Sequence, residues 1–323
     1  MGELSVRLGP LALRNPFLLA SGIWGESGES LAGAWSAGAG GVITKSIGSE
    51  ARAGYPNPTV EQYGDWGLLN AMGLPNPGIA EYPREIAVAL RAGALVIGSI
   101  FGGSAEEFAR LAQRMSATGV AALELNLSCP HAEGFGTEVG SDPADVEEIV
   151  RAVRGTTELP VIAKITPNTP DPAALAAAAE RGGAVAVSAI NTVRGLAIDV
   201  ELRRPVLAHG LGGLSGPAIK PVGLACVWQI YERVSIPVVG VGGIATADDA
   251  LEYLLAGARA VEIGTAVTQG GIGIFARLAD DLSRRLDQLG VRSIADVVGA
   301  AHARSHSAAH ADPALRAAKS SES

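Results

Sequence analysis

The residues best able to do chemistry in this sequence stand where apolar runs end. Asn126-Leu127-Ser128-Cys129-Pro130 places an amide, a hydroxyl and a thiol in succession, and Pro130 prevents a strand from continuing through them. A thiol so placed can act as nucleophile or general base once part of it is thiolate, and a glycine-rich stretch at 131–140 follows it as a mobile cover would. The other cysteine, Cys226, lies in a helix-like apolar segment and reads as an inert buried side chain. Lys45 and Lys164 close the runs Val-Ile-Thr-Lys and Val-Ile-Ala-Lys. One such lysine could snorkel to a rim, but two suggest compensation of negative charge such as a carboxylate or an anionic ring. Near the far end, Gly240-Val241-Gly242-Gly243-Ile244 and Ile263-Gly264-Thr265 are turns whose backbone N–H groups suit a phosphate. The first also fits a loose dinucleotide pattern, but Gly271-Ile272-Gly273-Ile274-Phe275-Ala276 fits it equally well, so direct NAD binding is not inferred. His302, His306 and His310 have helical spacing, yet their Ala- and Ser-rich flanks read as a solvated tail rather than a metal site.

The elements that would position these groups recur along the chain. Short apolar runs stand at 17–20, 41–48, 94–100, 121–127, 160–165, 184–190, 236–242 and 260–266, and read as eight buried parallel strands. Between them lie segments of helical spacing, among them 27–37, 105–117, 142–153, 172–181, 217–234 and 246–256, several opened by Ser104, Asp142 or Thr246 as N-caps. Eight such units in about 300 residues predict a (β/α)8 TIM barrel, with a doubly wound sheet as the alternative. The polar residues favour the barrel, because its strand ends converge on one rim. Two longer excursions, 50–78 and 191–216, interrupt the alternation and read as functional loops. The expected organisation is one barrel domain over 1–300 and a disordered tail over 301–323.

Composition narrows the function classes. With 25 Lys and Arg against 33 Asp and Glu the net charge is −8, and no basic cluster marks a nucleic-acid surface. The amino end is interrupted by Glu3, Arg7, Pro10, Arg14 and Pro16, unlike a signal peptide, and no apolar run is long enough to span a bilayer, so a cytoplasmic location is expected. Two cysteines cannot supply the four thiolates of an iron–sulfur cluster.

Taken together and in order, Ala20-Ser21-Gly22, Thr44-Lys45-Ser46, Asn70-Ala71-Met72-Gly73-Leu74-Pro75-Asn76, Asn126-Leu127-Ser128-Cys129-Pro130, Lys164, Asn191-Thr192, Gly212-Gly213-Leu214-Ser215-Gly216, Gly242-Gly243-Ile244 and Gly264-Thr265 give a constellation that resembles the class 1 dihydroorotate dehydrogenases, flavin enzymes of pyrimidine synthesis. The resemblance runs from about residue 4 to residue 299 and implies FMN as cofactor. By that resemblance, Gly242, Gly243, Gly264 and Thr265 would hold the FMN phosphate. Ser21, Lys45, Ser46, Asn126, Ile190 and Gly216 would line the rest of the flavin, with Lys164 beside its pyrimidine edge. Lys45, Asn70, Ala71, Met72, Gly73, Leu74, Asn126, Asn191 and Thr192 would grip dihydroorotate and its product orotate. Cys129 would take the C5 proton while C6 gives hydride to flavin N5; a free thiol titrates near ~8.5, so activity should rise with pH.

The stretch from Leu127 to Gly136 looks most like the 1B type. That type implies an electron-transfer subunit carrying FAD and a [2Fe–2S] cluster, NAD as final acceptor, and a homodimer or heterotetramer as the assembly. Fumarate, the 1A acceptor, is the alternative. Two residues depart from the family pattern: His131 stands where an Asn is usual, and Ser99 where many members offer an Asn to the flavin. Competing expectations are a flavin oxidoreductase of the same fold acting on another cyclic amide, such as a dihydropyrimidine, and a non-catalytic phosphate-binding barrel.

Overall fold

Strands buried on both faces read as continuous apolar runs, and each of the eight runs becomes a strand. The computed structural model describes residues 3–65, 67–128 and 140–305. The strands are β1 (Phe17–Leu19), β2 (Gly41–Ile43), β3 (Val96–Ile100), β4 (Ala122–Asn126), β5 (Val161–Lys164), β6 (Ala186–Ala189), β7 (Val238–Val241) and β8 (Ala258–Ile263). They pair in parallel, each with its sequence neighbours, and β8 closes on β1. The fold is the (β/α)8 barrel that the alternation predicts.

The outer layer is α1 (Gly28–Ser36), α2 (Pro83–Arg91), α3 (Ala105–Ser116), α4 (Pro143–Arg154), α5 (Pro172–Gly182), α6 (Lys220–Tyr231), α7 (Ala247–Leu255), a short α8 (Thr265–Gly270), α9 (Ile274–Gln288) and α10 (Ala300–Ser305). The N-caps read from the sequence are made: Ser104 accepts from Glu107 N at 3.2 Å, Asp142 from Ala144 N at 2.7 Å and Thr246 from Asp249 N at 3.1 Å. Amphipathic spacing sets the buried faces, as in α3, where Phe108, Leu111, Ala112 and Met115 pack inward. That face seats closely on the barrel, since a Cβ at Gly98 of β3 would lie 2.6 Å from Met115 Cγ. Among the described residues no helix is long and apolar enough to cross a membrane.

The two excursions differ from the loop reading: they contain strands, and those strands meet. Val193–Gly195, Gly212–Ser215, Gly67–Asn70 and Val60–Tyr63 form a four-stranded antiparallel sheet in that order. Short, glycine-rich segments carry no alternating pattern, so only the partner far along the chain reveals them as strands. The fit is tight, because a Cβ at Gly67 would lie 1.7 Å from Ser215 O.

The tail expected from residue 301 begins instead with α10. His302 stacks on Trp228 of α6 with ring centroids 3.5 Å apart, and its Nε2 lies 3.1 Å from Ala256 O. It is packed rather than solvated, because Trp228 and Tyr231 offer an aromatic face one turn apart. His306 and His310 lie outside the described residues. Among the described residues no group of His, Cys, Asp or Glu could hold a metal ion.

Candidate active site

Parallel strands present their carboxyl ends on one rim, and there the polar residues gather. One cleft is lined by Ser21 after β1, Lys164 at the end of β5, Ile190, Asn191 and Thr192 after β6, Gly242 and Gly243 after β7, and Gly264 and Thr265 after β8. Asn70 and Gly216 reach the same cleft from the sheet above.

The glycine end of the cleft has an internal support that sequence reading missed. Gly242 (φ 124°) and Gly243 (φ 70°) occupy left-handed backbone, and a Cβ at Gly243 would lie 2.8 Å from Lys220 Cβ. Fully buried Tyr253 of α7 donates its hydroxyl to the carbonyl of Gly242 at 2.8 Å and lies 3.3 Å from that of Val241. In a trans peptide the C=O and N–H point in opposite directions, so holding these carbonyls back turns the N–H groups of Gly242 and Gly243 away from Tyr253, toward the cleft they line. Asp249 braces the next residues, accepting from Ala245 N at 3.0 Å, Thr246 N at 2.8 Å and Lys220 Nζ at 2.6 Å. Burial works against ionisation of Asp249, but the Lys220 ammonium and these N–H donors outweigh it and hold the carboxyl below its ordinary range. Across the cleft, Thr265 Oγ1 donates to Ser215 Oγ at 2.8 Å.

Lys164, which also lines the cleft, meets negative charge that belongs to the protein itself. Its Nζ lies 2.5 Å from Glu262 Oε2 and 3.8 Å from Glu124 Oε2, while Ser188 Oγ donates to Glu262 Oε1 at 2.5 Å. All four side chains are buried inside the barrel. Burial would lower the Lys164 pKa, yet the two carboxyls reverse that and leave it above its ordinary value. Glu124 and Glu262 were not among the residues singled out from the sequence; the available signal was a charge inside each of the apolar runs of β4 and β8.

Lys45 stands apart from Lys164. It is buried after β2 and its Nζ pairs with Glu26 Oε1 at 3.2 Å, the Glu26 side chain being 66% exposed.

A string of hydroxyls and amides from four strand ends joins the lining residues Ser21 and Asn191 through Ser46 and Asn126, which do not themselves line the cleft. Ser21 Oγ and Ser46 Oγ are 3.1 Å apart, Asn126 Nδ2 donates to Ser46 Oγ at 3.1 Å, and Asn191 Nδ2 donates to Asn126 Oδ1 at 3.3 Å. Thr192 N donates to Asn191 Oδ1 at 2.8 Å, and Asn168, another residue missed in the sequence, donates to Thr192 O at 3.2 Å. Each group fixes the orientation of the next. Ser99 joins the string, with its Oγ 3.0 Å from Ser46 Oγ and 3.3 Å from Glu124 Oε1.

Asn70 donates to Gly213 O at 3.0 Å, which ties the two excursions together over the rim. Ala71, Met72, Gly73 and Leu74 follow as a half-buried loop, held by Ala71 N to Thr59 O at 2.7 Å and Tyr55 N to Met72 O at 2.9 Å. A Cβ at Gly213 would lie 2.0 Å from Thr192 Oγ1, so glycine is required for the sheet to close over Thr192. Cys129 and His131 lie outside the described residues. Cys226 is buried in α6, and burial pushes its thiol up to about 11, in keeping with an inert side chain.

A cleft lined by backbone N–H donors, a buried ammonium, hydroxyls and amides can hold an anionic ligand. The chain resembles known proteins along nearly its whole length. The family model described as dihydroorotate dehydrogenase matches residues 3–286. The catalytic subunit of dihydroorotate dehydrogenase B (NAD(+)) from Pyrococcus horikoshii is 49% identical over 298 residues, covering 92% of this chain and 97% of that protein. The protein of the same name from Thermoplasma acidophilum is 46% identical, covering 93% of this chain and 99% of its own length. That from Methanocaldococcus jannaschii is 45% identical, covering 94% and 100%. These matches span every strand of the barrel and the rim on which the cleft is built, and the chain belongs to the dihydroorotate dehydrogenase family.

Proposed function

We propose that the chain oxidises dihydroorotate to orotate in pyrimidine synthesis, with FMN resident in the cleft and Cys129 as general base. The observation that carries this reading is the donor set that lines the cleft. FMN has a phosphate dianion at one end and a ring that gains negative charge on reduction at the other. Gly242, Gly243, Gly264 and Thr265 offer backbone N–H and hydroxyl donors where the phosphate would sit, and Lys164 supplies an ammonium where the ring would gain charge. The donor set therefore fits the cofactor. When bound, FMN supplies the two-electron acceptor for hydride from C6 of the substrate.

The protein's own residues then do the rest. Asn126 and Asn191, fixed by their hydrogen bonds, present amides to a planar imide, and Thr192 adds a hydroxyl. Lys45 meets the substrate carboxylate by exchanging it for Glu26, whose exposed side chain is a weak and replaceable partner. This exchange favours dihydroorotate over a cyclic amide that lacks a carboxylate. Cys129 takes the C5 proton. Electrons leave through a partner subunit carrying FAD and a [2Fe–2S] cluster to NAD, a division of labour consistent with the two cysteines of this chain.

An anaerobic absorbance titration of the purified protein with dihydroorotate tests the proposal. Bleaching of the oxidised flavin band is expected. A yellow protein that does not bleach would overturn the substrate, and a protein that takes up no FMN would overturn the cofactor.

The brace behind the glycines gives a separate expectation. Tyr253→Phe removes the hydroxyl that holds the Gly242 carbonyl, so FMN affinity, read by flavin fluorescence on binding, should fall about tenfold, or ~1.4 kcal/mol. The KM for dihydroorotate should stay unchanged, and unaltered FMN affinity would remove Tyr253 from this role.

A further inference from the structure

Glu124 touches neither substrate nor cofactor in the proposed reaction, although a carboxyl in that position is hard to keep. Its side chain is fully buried, and Oε2 has no hydrogen-bond partner. The groups facing it are the Lys164 ammonium from β5 at 3.8 Å, the Glu262 carboxyl from β8, and the Ser99 hydroxyl from β3 at 3.3 Å. Glu262 is far better supported, taking Lys164 at 2.5 Å and Ser188 of β6 at 2.5 Å. One ammonium can neutralise one carboxylate, so ionising both would leave a net negative charge inside an apolar barrel.

We propose that Glu124 keeps its proton in the resting protein and can release it, so that Glu124, Lys164 and Glu262 form a one-proton switch on the charge beneath the cleft. With Glu124 protonated the cluster is neutral; with Glu124 ionised it is net negative. Burial, together with the neighbouring Glu262 charge, pushes the Glu124 carboxyl up to about 8, in agreement with the geometry. Ser99, through its contacts with both Glu124 and Ser46, is the link from this cluster to the rim. The consequence rests on the reading that FMN lies above Lys164: an ionised Glu124 opposes the field of Lys164 and makes the flavin harder to reduce. Glu124 is thus a positioning residue that acts through Lys164.

Two readouts test this in the wild type, Glu124→Gln and Glu262→Gln. The first is the infrared stretch of a buried protonated carboxyl, followed with and without FMN from about pH 6 to about pH 10. The wild type should show a band that is lost toward the alkaline end, and Glu124→Gln should lack it. Glu262→Gln leaves one carboxyl for one ammonium, so Glu124 should ionise and its band be lost at least about one pH unit lower. The second readout is the flavin midpoint potential over the same range. The wild type and Glu124→Gln should agree at the acid end. At the alkaline end the variant should be higher by about 30 mV, a tenfold change in the two-electron equilibrium.

Absence of a titrating band in the wild type, or its persistence in Glu124→Gln, overturns the proton assignment. A titrating band with identical potentials overturns the coupling to the flavin. A protein that binds no FMN would defeat the reading of the cleft, while the infrared titration of the flavin-free protein would still decide the state of Glu124. If Glu124→Gln does not fold, the wild-type titration and Glu262→Gln carry the test.

Discussion

Cys129→Ala is expected to leave FMN bound and to slow its reduction by dihydroorotate by about 10²- to 10⁴-fold near neutral pH, the usual contribution of a positioned general base. The donors proposed for the FMN phosphate are Gly242, Gly243, Gly264 and Thr265, so the affinity for FMN should be that of the wild type. Rapid-mixing measurement of flavin bleaching under anaerobic conditions separates the two effects, because it reads a single reduction event rather than turnover with an acceptor. In the wild type this rate should climb with pH across the neutral range as thiolate accumulates, and the climb should vanish in the variant. Reduction at a near-wild-type rate would remove Cys129 as the base.

Lys164→Met should have the largest effect on stability. It leaves Glu124 and Glu262 buried without a cation, and removing one partner of a buried ion pair costs about 3–5 kcal/mol. Without the ammonium, any ionised carboxyl of the cluster is a buried charge with no counter-ion, so the folded variant must keep protons that the unfolded chain gives up, and it loses stability as pH rises. The variant should therefore come closest to the wild type in acid and fall furthest behind in alkali, as read by urea denaturation at several pH values. Lys164→Met combined with Glu262→Gln should recover most of the stability, because both buried charges are removed together. FMN affinity should remain weakened in the double variant, which separates the role toward the cofactor from the role in the fold. Equal stability of Lys164→Met and the wild type across this range would show that the ion cluster contributes nothing.

The barrel was legible in the sequence because each strand is buried on both faces and so announces itself as an apolar run. The rim was legible for a related reason: Ser21, Lys164, Asn191 and Thr265 are polar residues placed where such a run ends, and all four line the cleft. Glu124 and Glu262 escaped notice because a single charge within a run looks like part of the strand. What gives them meaning is Lys164, which is 98 positions from Glu262. Tyr253 escaped for the opposite reason, being one more buried residue on the apolar face of α7, with its one polar atom turned toward the glycine loop. The sheet over the rim could not be read locally either. Val60–Tyr63 is exposed throughout, and Gly212–Ser215 has too few side chains to show any alternation. His302 was hidden by its Ala- and Ser-rich surroundings, its aromatic partners lying on α6.

The pairing of the two excursions also sets a schedule for synthesis. The hydrogen bond from Asn70 to Gly213 joins positions 143 residues apart. At roughly 5–20 residues per second, the segment that completes the sheet leaves the ribosome about 7–30 s after the segment it must join. Throughout that interval the inner edge of Gly67–Asn70 has no neighbour, and an unpaired strand edge is a template for wrong partners. Gly67–Asn70 is thus a segment of the nascent chain that waits with one edge uncovered, and a place where a chaperone would have something to protect.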